Sequence, residues 1–138
     1  MNMLNIFCDG GARGNPGPAA YGFVIKENGK TIKKEGKTLG IATNNFAEYT
    51  AVIEALKWLL DGYEGQDLNF FLDSQLVASQ LSGIYKVKNA QIRELVLKVK
   101  NLETSFGQIK YMYIPREQNK EADAMVNRAL DSELVIRN

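Results

Sequence analysis

The 138-residue chain contains no histidine and one cysteine, Cys8. Without histidine there are no Ser-His or Cys-His nucleophile pairs, no imidazole metal ligands and none of the commonest general base. A single cysteine excludes an intramolecular disulfide and argues against structural zinc. No apolar run approaches the ~18 residues of a membrane span, and Met1–Asp9 is too short and polar for a secretory signal. The expectation is a soluble cytoplasmic protein. Neither sign of charge dominates: 17 Lys plus Arg against 16 Asp plus Glu leave a net +1. Any basic surface for a polyanion must therefore be local. Hydrolytic chemistry would have to rest on carboxylates, hydroxyls, amides, Lys or Arg, and carboxylates favour hard cations such as Mg²⁺ or Mn²⁺.

The length suits one domain, residues 1–138, able to bury roughly 68% of its unfolded surface. There is no repeat, low-complexity tract or linker. Leu4–Cys8 reads as a buried strand that stops at Asp9-Gly10-Gly11. Gly10–Pro18 holds four of the 12 glycines and two of the 3 prolines, and reads as a loop. Ala20–Lys26 and Thr31–Leu39 read as strands joined through Asn28-Gly29, a hairpin signal. Over Asn44–Asp61 the apolar period becomes helical, with Ala47, Ala51, Val52, Ala55, Leu56, Leu59 and Leu60 on one face. Leu68–Leu72 is a buried strand running into Asp73. A short helix follows over Gln75–Leu81, then an amphipathic helix over Asn89–Leu102, a strand over Gln108–Ile114 and a last helix over Asn119–Leu130. Strands followed by alternating helices and strands predict an α/β layer fold with a mixed sheet.

Four acids stand in unusual places. Asp9 and Asp73 end buried strands, Glu48 lies near the start of the long helix, and Asp123 borders the apolar stripe of the last one. Each also has a structural explanation. A strand-end Asp forms turns or caps the next helix, Glu48 is spaced to complete a capping box with Asn45, and Asp123 is placed as a solvated helix acid. Together they suggest more. Ligands of α/β sheets bind beyond the carboxyl ends of strands, and clustered carboxylates repel unless a cation neutralises them.

Asp9-Gly10-Gly11-Ala12-Arg13-Gly14-Asn15-Pro16-Gly17-Pro18 resembles the opening motif of type 1 ribonuclease H. Thr43-Asn44-Asn45-Phe46-Ala47-Glu48, Leu72-Asp73-Ser74-Gln75 and Pro115-Arg116-Glu117-Gln118-Asn119-Lys120-Glu121-Ala122-Asp123 resemble its second, third and fourth motifs, in order and at family-like spacing. The resemblance implies a ribonuclease H-like α/β fold, a five-stranded mixed sheet flanked by helices on both faces. It implies cleavage of the RNA strand of an RNA–DNA hybrid, leaving 5′-phosphate and 3′-hydroxyl ends; a monomer with no membrane partner is expected. It places the family's acidic tetrad on Asp9, Glu48, Asp73 and Asp123, holding two Mg²⁺ or Mn²⁺ ions. Asp9 would bridge them, Glu48 and Asp73 would serve the leaving-group side, and Asp123 the attacking-water side. Asn15, Thr43, Asn44, Asn45 and Gln75 match substrate-contacting positions, Asn15 and Thr43 those that grip a DNA phosphate. Amides both donate and accept, which suits minor-groove edges and sugar hydroxyls.

The chain departs from the family in two places. The histidine that some members carry before the fourth acid is absent, and Arg116 stands in that region, as in one subgroup, with Glu117 beside it. Arg116 is therefore expected to contact substrate phosphate or the departing product, and Glu117 is the weaker candidate for proton transfer. The basic, Trp-rich protrusion of other members is also missing: Ser82–Ala90 keeps only Lys86 and Lys88, and Trp58 is expected in the core. Lys26, Lys30, Lys33, Lys34 and Lys37 form a second basic cluster, or a hairpin edge kept soluble by lysine. The competing functions are a non-catalytic nucleic-acid-binding module and another nuclease of the same superfold.

Overall fold

The structure is a computed structural model that describes residues 3–137, with side chains through residue 132. In chain order the elements are β1 (Leu4–Ala12), β2 (Gly17–Glu27), β3 (Lys30–Ala42), α1 (Asn44–Leu59), β4 (Leu68–Leu72), α2 (Gln75–Leu81), α3 (Ala90–Glu103), β5 (Ile109–Tyr113), a 3₁₀ turn (Arg116–Gln118) and α4 (Lys120–Arg137). The strands form one mixed sheet in the order β3-β2-β1-β4-β5. β1, β2 and β3 pair antiparallel, whereas β4 is parallel to both β1 and β5. The predicted five-stranded mixed sheet is the observed one.

Alternation along the strands divides the core in two. Leu4, Ile6 and Cys8 of β1, Tyr21, Phe23 and Ile25 of β2, and Leu68, Phe70 and Leu72 of β4 pack with α1, α2 and α3. The opposite face meets α4 through Ala20, Val126 and Leu130. Helix α1 is buried more widely than its predicted stripe, since Tyr49 and Ile53 are covered as well. It lies between the sheet and α3, so two of its faces are in contact. Trp58 is half-buried at the core's rim, stacked on Tyr63 at 5.8 Å between ring centroids.

The hairpin forms where Asn28-Gly29 predicts it. Both residues have positive φ, 51° and 83°, as a type I′ turn requires. Gly10–Pro18, expected as a loop, is mostly strand: pairing continues through Gly10↔Tyr21, Gly11↔Ala20 and Ala12↔Ala19. Only Arg13–Pro16 lies outside the ladder. Gly10 and Gly17 serve close backbone packing here, whereas Gly14, with φ 95°, serves the turn. The last helix passes the predicted end at Leu130 and continues to Arg137, because Asp131-Ser132 interrupts the apolar stripe without breaking the backbone pattern.

Candidate active site

β1 and β4 are parallel neighbours with Cys8 opposite Leu72. The next residue on each is an aspartate: Asp73 follows the last residue of β4, and Asp9 stands on the adjacent strand where β4 stops, while β1 runs on to Ala12 against β2. Glu48 arrives from above. A Cβ on Gly10 would collide with the backbone of Ala47 and Glu48, so only glycine lets α1 lie directly on β1 and bring Glu48 to Asp9. A Cβ on Gly22, opposite Asp9 on β2, would meet the Ala122 carbonyl at 2.8 Å. This second close approach seats the first turns of α4, and with them Asp123.

The four carboxylates act on one another. Asp9 is 9% exposed. Burial, then the charges of Asp73, Glu48 and Asp123, push its pKa up to about 8 against the Gly10 amide, which donates to Oδ1 at 2.9 Å. Glu48 is likewise pushed up to about 8 by burial and Asp73, while a hydrogen bond with Ser74 and the charge of Arg116 oppose the rise. Asp73 Oδ2 accepts from Asn119 Nδ2 at 2.9 Å, and Asp123 Oδ2 accepts from Asn127 at 3.2 Å. Arg116 is exposed in the turn before α4, near enough for its charge to act on Glu48.

Among the described residues, no three Asp, Glu or Cys side chains are grouped so that they could hold a metal ion as they stand. The donor set nevertheless fits a hard divalent cation. It consists of carboxylate oxygens, two of them raised toward neutrality by mutual repulsion and burial. Mg²⁺ keeps several waters and takes only one or two direct carboxylates alongside substrate phosphate, so it does not require a complete protein cage.

The polar residues group at the start of α1. Thr43 caps the helix, its Oγ1 accepting from the Phe46 amide at 3.1 Å. Thr43, not Asn45, is therefore the cap, and Glu48 is not part of an Asn45 capping box. Asn15 Oδ1 accepts from the Asn44 backbone amide at 3.0 Å, and Asn44 Oδ1 accepts from the Ala12 amide at 2.8 Å. Asn45 is half-buried in the same turn, and Gln75 is exposed at the start of α2, two residues from Asp73. In the basic cluster, Lys26 and Lys34 reach Glu121 at 2.8 and 3.6 Å, and Lys33 reaches Glu35 at 3.9 Å. Those three are spent on neighbouring acids, as on a protected hairpin edge. Between α2 and α3, Ile84 and Tyr85 are exposed beside Lys86 and Lys88.

Residues 7–129 match the family model described as Reverse transcriptase-like. A protein named Ribonuclease HI from Halobacterium salinarum is 40% identical over 130 residues, 93% of this chain and 64% of the relative. The N-terminal RNase H domain of a Mycobacterium tuberculosis protein, solved as a fusion with maltose binding protein, superposes with a TM-score of 0.92 at 34% identity, covering 100% of both chains. The chain belongs to the ribonuclease H family. LC11-RNase H1, solved in complex with an RNA/DNA hybrid, gives a TM-score of 0.91 at 38% identity over 95% of this chain and 99% of that one. The chain spans 64% of the length of the Halobacterium relative and 35% of that of the full-length mycobacterial relatives.

Two residues at the center of this ribonuclease H fold were not among the expected site residues. Ser74 caps α2, accepting from the Val77 amide at 3.2 Å, and also holds Glu48. Asn119 is 1% exposed and bonds to both Cys8 and Asp73. Both lie inside the quoted motifs, but a Ser or Asn just before a helix is read first as a cap.

Proposed function

We propose that the protein is an endonuclease that hydrolyses the RNA strand of RNA–DNA hybrids with two Mg²⁺ or Mn²⁺ ions, leaving 5′-phosphate and 3′-hydroxyl ends. Residues 1–138 would act as one catalytic domain, monomeric and cytoplasmic. The observation that carries this reading is the closeness to Asp9 of Glu48, Asp73 and Asp123, whose charges act on it where β4 ends beside β1. The names of the relatives support it, as does the hybrid bound to LC11-RNase H1.

Asp9, Glu48, Asp73 and Asp123 would hold the cations. When bound, these supply a lowered pKa for the attacking water and charge stabilisation at the departing 3′ oxygen. The chain's other residues bind and orient. Asn15 and Asn44 spend their side-chain oxygens on backbone amides, which leaves each Nδ2 available to donate. With Thr43 at the positive end of α1, they form a phosphate grip. Asn45 and Gln75 are placed to read minor-groove edges, and the 2′-hydroxyl is what distinguishes RNA there. Arg116 supplies positive charge next to Glu48, where a phosphate must pass. The Pro115-Arg116…Asn119…Ala122-Asp123 form supports a place in the subgroup with Arg in the region of the loop histidine. Among the described residues no helix is long and apolar enough to cross a membrane.

The test is cleavage of labelled RNA–DNA hybrid, double-stranded RNA and single-stranded DNA with Mg²⁺, Mn²⁺ or EDTA. Internal cuts in the RNA of the hybrid alone, lost with EDTA and with Asp9→Asn, are expected. Binding of the hybrid without cleavage would identify a non-catalytic module, and cleavage confined to the DNA substrate another nuclease.

A further inference from the structure

Asn119 has no charge and is almost wholly buried, yet it joins three of the four elements that carry the acids: β1, the end of β4 and α4. It stands between the 3₁₀ turn and α4, 1% exposed. Its Nδ2 donates to the Cys8 carbonyl on β1 and to Asp73 Oδ2 at the end of β4, both at 2.9 Å. Its own carbonyl accepts from the Asp123 amide at 3.1 Å. One side chain thus ties the strand carrying Asp9 to Asp73, while its backbone starts the helical turn carrying Asp123.

The orientation of this amide follows from chemistry. Both groups facing Nδ2 are pure acceptors, so the flipped amide would set oxygen against a carbonyl and a carboxylate. The correct orientation leaves Oδ1 buried with no partner among the described residues. A residue serving packing alone would be apolar here. One serving as a cap would place its side-chain oxygen on a backbone amide, and none reaches Oδ1. The side chain gives up its acceptor to keep two donors on β1 and Asp73.

We propose that Asn119 is a positioning residue for the reaction, holding Oδ2 of Asp73 against β1 so that the other carboxylate oxygen is presented to a divalent cation in one orientation. This rests on the metal-dependent reading above, and the test separates the two. In the wild-type protein, the Asn119 side-chain amide is followed by ¹⁵N NMR during titration with Mg²⁺, alongside the backbone signals of Asp9, Glu48, Asp73 and Asp123. The acids are expected to shift, and the Asn119 amide to shift with the same midpoint as Asp73. If the acids shift and the Asn119 amide does not, the positioning role is overturned while the metal reading stands. If none shifts, the metal reading fails first. In Asn119→Ser, which keeps a single shorter donor, kcat on the hybrid is expected to fall at least tenfold with KM within twofold. Mn²⁺ affinity measured by calorimetry on the enzyme alone is expected to fall at least threefold. A folded variant with kcat and Mn²⁺ affinity both within twofold of wild type overturns the proposal. If the variant does not fold, the wild-type titration decides.

Discussion

Gly10 lies against the backbone of Glu48, with the Ala47 carbonyl oxygen 2.6 Å from where a Cβ would stand. The strand holding Asp9 and the helix holding Glu48 therefore approach as closely as two backbones can. Backbone does not yield as the tip of a long side chain does, so Gly10→Ala must lift α1 off β1. Overpacking of this kind costs about 1–3 kcal/mol. The expected outcome is a Tm several degrees lower and hybrid cleavage reduced more than tenfold, because Glu48 moves with its helix. Unchanged cleavage would show that the distance from Glu48 to Asp9 does not govern the reaction.

The acidic cluster opposes folding when no cation is present. Asp9 is raised from 3.8, and Glu48 from 4.5, to about 8 by burial and mutual repulsion. A carboxyl whose folded pKa exceeds its unfolded one contributes stability below the unfolded value and loses it as pH rises through the folded value. Metal-free protein should therefore lose stability between about pH 4 and pH 8, and Mg²⁺ should restore part of it at pH 8 by binding the ionised form. Asp9→Asn removes the most buried of the four charges. It should raise the metal-free Tm at pH 8 while abolishing cleavage. A lower Tm for Asp9→Asn, at pH 8 in EDTA, would refute the repulsion argument.

Much of this was readable in the sequence, for reasons that differ by residue. Asp9 and Asp73 stood out because apolar runs stop abruptly on them, although β1 itself continues to Ala12. Their adjacency needed only that β1 and β4 be neighbours, which the structure shows. Glu48 and Asp123 could be located by helical period, but not how their helices approach. That depends on Gly10 and Gly22, and a glycine-rich stretch reads as a turn until its neighbours across space are known. Asn119 was the least legible. Its partners lie 111 and 46 residues away, and a polar residue opening a helix has an adequate local explanation that hides a distant one.

Arg116 acts on Glu48 through charge, holding its pKa below where burial and Asp73 would otherwise place it. Arg116→Ala should raise that pKa further, so that a higher pH is needed to ionise Glu48. The rising limb of the pH–rate profile should then move to alkaline pH, and kcat/KM at pH 7 should fall more than twofold. Arg116→Lys keeps the charge and should keep the midpoint, while losing the fork geometry that suits phosphate. A profile for Arg116→Ala that overlays the wild type, with a rate within twofold, removes Arg116 from the site.

Asn44 allows folding and binding to be separated in one substitution. Its Oδ1 accepts from the Ala12 amide at 2.8 Å, which fixes the β1–α1 junction, and its Nδ2 donor is left for substrate. Asn44→Asp keeps the acceptor, and a negative charge at a helix N-terminus is favourable by about 0.3–1 kcal/mol, so Tm should hold or rise slightly. The same change replaces a donor with a carboxylate facing the nucleic-acid backbone. KM for the hybrid should rise about tenfold or more at low salt, with a smaller rise at high salt, where repulsion is screened. Asn44→Ala should do the reverse, losing stability with the Ala12 bond and losing less affinity. If both variants weaken binding only in proportion to their loss of stability, Asn44 is a structural residue and the phosphate grip rests on Asn15 and Thr43 alone.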